Sequence, residues 1–186
     1  MTQREIPHEK QAEQLTRLLL TSRDFQLALS AVTFLLEDVD WEQRYGLAEL
    51  RRFYCYEAAF IVSYARPFVT ARGGVRPFSW KDVSLERSEP EKALHTKLLL
   101  DRNKLVAHSD ADYVEVRRVV YRARFPEREP YDFAMPRYDE GLRLSYEECR
   151  TAEILLHKAK QGIRKQVQTL KDIAGADFRV IDLGDL

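Results

Sequence analysis

Apolar positions in the first half of the chain recur at three- and four-residue intervals, the period of helices with one buried side. Leu15, Leu18 and Leu19 mark a first helix that Thr21 and Ser22 are expected to end. Phe25, Leu29, Val32 and Leu36 mark a second, with Ser22 as its cap. A third and longest helix is predicted from Glu42 to Ala71, kinked at Pro67 and released by Gly73-Gly74. The stretch FSWKDVSLERSEP reads as a connecting loop. Ser88 then caps a fourth helix, with Pro90 in its first turn.

Past Asp112 the period shortens to two. Val114, Val116, Val119 and Tyr121 alternate with charged neighbours, as in a strand. PEREPYDFAMPRYDEG reads as a turn or loop and LRLS as a short partner strand, which makes a β-hairpin. Ser145 and Glu148 form a capping-box pair ahead of a last long helix. The expected fold is all-α: a four- to five-helix bundle with a small β-hairpin inserted before the last long helix. As one domain over 1–186, the bundle would take 8–110 and 145–173, the hairpin 113–144 and a tail 174–186.

Composition narrows the field rather than naming a function. The 186 residues carry 30 Lys plus Arg and 30 Asp plus Glu, so no overall basic field draws in a polyanion, and any such contact must be local. Cys55 and Cys149 lack a CxxC spacing and read as reduced thiols, with Cys55 packed in a helix. The polar start and short apolar runs predict a cytoplasmic protein with no membrane partner. His8, His95 and His157 make no metal-ligand pattern with His108, so neither metal nor cofactor is expected.

The stretch LLLDRNKLVAHSDADY holds the most informative residues. On an ideal helix Arg102 falls about 40° from Leu98, between Leu94 and Leu105 on one side and Leu99 and Val106 on the other. That is inside the apolar arc. His108 lies about 120° from Arg102 and about 9 Å further along, so the two share a ligand only if the helix loosens or a second subunit completes the site. HSDAD favours loosening, and a helix C-terminus favours a protonated imidazole. A competing expectation pairs Arg102 with Glu57, the carboxylate among Phe53, Phe60, Ile61 and Tyr64, because a buried unpaired ion is costly.

The run RNKLVAH resembles the motif of the HEPN superfamily: an arginine, a polar residue, a short spacer and a histidine. With SYARPF on the preceding helix it is similar to the branch associated with abortive phage infection. The resemblance implies a metal-independent endoribonuclease or RNA-binding protein, acting as a homodimer in phage defence or beside an antitoxin partner. His108 would serve as acid/base, Arg102 as phosphate clamp, and Asn103 would orient the phosphate, the histidine or the helix end. The basic residues Arg66, Lys104, Arg117, Arg118 and Arg122 are candidate RNA contacts. The rival is a non-catalytic dimeric interaction bundle, in which the Arg102–His108 region is a structural polar network.

Overall fold

The first helix, α1, runs unbroken over His8–Asp38, 31 residues. A computed structural model describes residues 8–70, 76–107, 116–126, 128–138 and 141–171, without the side chains at 8, 9, 105–107, 116–118 and 136–138. The break expected at Thr21 and Ser22 does not occur, because Thr21 sits fully buried among Leu18, Phe25 and the rest of one long apolar stripe. Elsewhere in α1 hydroxyls fold back on the helix: Thr16 Oγ1 donates to Ala12 O at 3.0 Å and Ser30 Oγ to Gln26 O at 3.1 Å. Side chains that can cap a helix also sit within one in this way when tertiary packing rewards continuity. Over Lys10–Asp38 the helix is long and apolar enough to cross a bilayer, against the expectation from short apolar runs, yet half of its most apolar window is buried in the bundle.

Helix α2, Leu47–Ala65, starts later than the pattern suggests, where the Glu49 carboxylate accepts the Gly46 amide at 3.0 Å. Pro67 does not kink it. The proline lies in a 3-10 turn, Arg66–Phe68, that ends the helix, as expected of a residue with no amide hydrogen. The loop expected next is instead partly core: Phe78, Trp80 and Val83 are buried, the last two in a 3-10 turn, Trp80–Val83. Phe25 of α1 sits among these rings, 5.7 Å from Phe78, 6.0 Å from Tyr64 and 6.1 Å from Trp80.

Helix α3, Glu89–Ala107, starts after Ser88, whose amide the Glu91 carboxylate accepts at 2.8 Å. Helix α4, Tyr146–Leu170, has the capping box expected of it: Ser145 Oγ accepts Glu148 N at 3.2 Å, and Glu148 Oε2 accepts Ser145 N at 2.9 Å. Cross-helix pairs show antiparallel neighbours throughout. Arg66 meets Asp24 and Arg52 meets Asp38 between α1 and α2, while Lys97 meets Glu148 and Lys158 meets Glu91 between α3 and α4. The result is an up-down-up-down four-helix bundle.

A mid-helix glycine costs about 1 kcal/mol relative to alanine. Gly162 of α4 has a reason to be there: an added Cβ would stand 3.0 Å from Val83 Cβ and 3.2 Å from Val83 O. We expect Gly162→Val to lower stability by about 1–3 kcal/mol by forcing the 3-10 turn off the helix, read as a lower urea midpoint at unchanged slope.

Two strands, β1 (Val116–Phe125) and β2 (Arg128–Tyr138), form an antiparallel hairpin between α3 and α4. The partner of β1 is therefore the stretch read as loop, and LRLS is not a strand but the approach to α4. Pro130 and Pro136 argued against a strand there. A two-stranded ribbon has only edges, where a proline facing away from the ladder breaks no pairing. Among the described residues the strands touch each other and no helix.

Candidate functional site

Helix α3 carries the candidate residues at its C-terminal end. Arg102 is half-buried rather than sealed in the core, between fully buried Leu98 and exposed Asn103 and Lys104. Its Nη1 donates to Asn103 Oδ1 at 3.2 Å, so two of the three motif residues already touch. His108 lies outside the described residues, as do the side chains of Leu105 and Val106.

The expected Arg102–Glu57 pair does not form. Glu57 is 1% exposed, and its Oε1 accepts the backbone amides of Arg143 and Leu144, each at 2.8 Å. Burial raises the Glu57 pKa above its ordinary value, those two amides and the Arg143 charge oppose the rise, and nearby Asp101 adds to it. Backbone donors satisfy the buried carboxylate in place of a cation, so the arginine is not consumed by it. Lys97 of α3 ties down the same segment, donating to Arg143 O at 3.0 Å and to both Glu148 oxygens at 2.6 and 2.7 Å. Glu57 and Lys97 thus fix the path by which the chain returns from the hairpin to α4. A carboxylate within an apolar stripe signals such a role only faintly, because its partners are amides that no side-chain pattern reveals.

Several basic candidates have partners. Arg66 donates to Asp24 at 2.8 Å, and Arg122 holds Asp132 across the hairpin through two bonds of 2.7 and 2.8 Å. The pairing raises the Arg122 pKa and lowers that of Asp132. Lys104 is exposed near Arg102, whereas the side chains of Arg117 and Arg118 fall outside the described set. Arg76 forms a two-pronged bond with Asp82 at 2.8 and 2.9 Å, and Arg72 is not described. Cys55 is exposed on α2 rather than packed, and Cys149 is buried, its thiol pushed up to about 12 by burial and by the charges of Glu57 and Glu148. Among the four tyrosines expected at core or interface positions, Tyr64 is fully buried, Tyr45 and Tyr56 half-buried, and Tyr54 exposed.

His157 is exposed as expected, but His95 is not a surface residue. Its ring lies 4.6 Å from Phe68 and 5.6 Å from Trp80, and its Nδ1 is 3.0 Å from the Tyr64 hydroxyl. Burial, helped by the Arg87 charge, lowers its pKa to about 4. The unfolded chain therefore binds a proton that the folded chain refuses between about pH 4 and 6.5. His95 thus makes stability rise with pH across that window, and its contribution is lost on acidification. We expect His95→Gln to flatten this rise, a difference on the order of 2 kcal/mol between the ends of the window, read by thermal melts.

No group of three or more His, Cys, Asp or Glu placed to hold a metal occurs among the described residues. An open depression of about 340 Å³ lies between α3 and α4, lined by Pro90, Leu94, Lys97 and Glu148, and does not include Arg102. The arrangement at the end of α3 offers a part-exposed guanidinium beside an amide, on a surface that lacks a deep pocket; that geometry suits a long anionic chain better than an enclosed small molecule. Compared with protein-family models, curated proteins and solved structures, the chain matches none.

Proposed function

We propose that the protein is a HEPN-type RNA-cleaving protein, acting as a homodimer without a metal, in a phage-defence or toxin–antitoxin setting. The observation that carries this reading is that Arg102 stands half-exposed at the end of α3, hydrogen-bonded to Asn103 and not neutralised by Glu57. A guanidinium so placed is matched to the charge that grows on a phosphodiester during attack. His108, six residues on, takes the proton of the ribose 2′-hydroxyl as that oxygen attacks phosphorus, and a protonated imidazole supplies the leaving 5′-oxygen. Asn103 holds the guanidinium in place, and Lys104 adds local positive charge. The second copy places another Arg102–His108 set opposite the first, which removes the need for both groups of one helix to reach one phosphate.

The test is incubation of the purified protein with mixed RNA in EDTA, wild type beside His108→Ala. Fragments from wild type alone support the reading, and equal background from both overturns it.

A second reading, a non-catalytic dimeric interaction bundle, is favoured by the uncovered apolar faces of the hairpin and of α1. It predicts a dimer with no RNA turnover.

A further inference from the structure

The hairpin has one face that nothing in its own chain covers. In the antiparallel register Val119 pairs with Met135, Tyr121 with Phe133 and Ala123 with Tyr131, so these side chains share a face. Phe125 joins them, stacked on Tyr131 at 6.2 Å. Phe125, Tyr131 and Met135 are each more than half exposed. A two-stranded ribbon is at best marginally stable in water, and one presenting an aromatic ridge needs cover.

A second uncovered set lies on α1. Leu20, Leu27 and Phe34 recur every seven residues and are 43–47% exposed, although α1 is otherwise a core helix. This row is about 21 Å long at 1.5 Å per residue. The ridge from Val119 to Phe125 is about 20 Å long at 3.3 Å per residue.

We propose that the hairpin is a dimerisation arm, whose aromatic ridge lies on the Leu20–Leu27–Phe34 row of a second copy while that copy's arm does the same in return. The inference deepens the dimeric part of the function proposed above and does not depend on the chemistry of Arg102 and His108.

Charge selects arm-on-body over arm-on-arm. The strands hold six arginines against Glu129 and Asp132, a net charge of about +4, and the whole chain is neutral, so the remainder carries the opposite excess. Two arms face to face repel, whereas an arm and a body attract. Area points the same way. A ribbon face of roughly 33 by 10 Å buries about 650 Å² in one contact, counting both surfaces. Two reciprocal contacts reach about 1,300 Å², within the range of stable interfaces, and a single arm-on-arm contact does not. A nucleic acid is a poorer occupant of the ridge, because Tyr121 already stacks on Phe133 at 5.7 Å and their π-faces are turned to each other rather than to a base.

The experiment uses the full chain in a Cys55→Ser background, since Cys55 is exposed. Light scattering should give the mass of two chains. Leu27→Glu and Phe133→Ser should each weaken dimerisation at least about tenfold while circular dichroism stays unchanged. Mixing Leu27→Cys protein with Phe133→Cys protein under mild oxidation should yield a cross-linked dimer that neither yields alone. A monomeric wild type overturns the proposal, as does cross-linking of Phe133→Cys alone, which means arm-on-arm. A cross-linked monomer from the double variant, meaning a folded-back arm, also overturns it, as does a monomer in which Phe133→Ser abolishes RNA binding. Because solution mass and cross-links are read without RNA, a failed nuclease assay leaves this result standing and the converse holds.

Discussion

Arg102→Ala and His108→Ala are each expected to reduce RNA cleavage by about 10²–10⁴-fold, to the level of the uncatalysed background. The measurement is release of short fragments from mixed RNA in EDTA at equal protein concentrations. Arg102→Lys is the informative companion. It keeps the charge but loses the planar fork, so it should fall between wild type and Arg102→Ala if the guanidinium grips phosphate oxygens in pairs. Stability should change little with any Arg102 substitution, because the side chain is half-exposed and its hydrogen bond is to the adjacent Asn103. Expression of the wild type should arrest growth, and Arg102→Ala or His108→Ala should relieve the arrest with folded protein still present. If cleavage survives both alanine substitutions, the fragments come from elsewhere and the interaction-bundle reading takes over.

Glu57→Ala is expected to destabilise the fold by about 3–5 kcal/mol. It strips the acceptor from two buried amides, those of Arg143 and Leu144, and leaves a cavity among Phe53, Phe60 and Ile61. Glu57→Gln keeps an oxygen for those amides and should cost about 1 kcal/mol or less near neutral pH. The two variants also separate on pH. A carboxyl whose pKa is raised on folding holds its proton more tightly in the native chain, so the native state binds more protons and stability falls as pH rises from about 4.5 upward. Glu57→Gln should lose that decline. This slope is opposite in sign to the one from His95, so chemical denaturation of the two single variants across pH distinguishes the groups. A Glu57→Ala protein as stable as wild type would mean that the return segment does not depend on this carboxylate.

What could be read along the chain was whatever is encoded between near neighbours. Phe25, Leu29 and Val32 repeat at helical spacing, and they are buried. Ser145 and Glu148 stand three apart, and they form the box that starts α4. Thr21 and Ser22 misled because a hydroxyl that suits a cap also tolerates a helix interior, and only the bundle's continuous stripe decides between them. Pro130 and Pro136 misled because their cost depends on whether a strand has neighbours on both sides, which is a property of the sheet. The Arg102–Asn103 contact follows from adjacency, while the failure of Arg102 to meet Glu57 does not.

The sequence by itself determined the helical class, the place of the hairpin between the third and last long helices, and the motif residues at the end of α3. These depend on spacings of one to four residues, over which backbone geometry is nearly fixed. Tertiary structure alone decided that α1 is one helix, that Trp80 and His95 belong to the core, and that Glu57 serves the amides of a segment 86 and 87 positions away. Those outcomes turn on which distant groups meet in a low-dielectric interior, where an unpaired donor or charge is costly, and no local pattern specifies that partner.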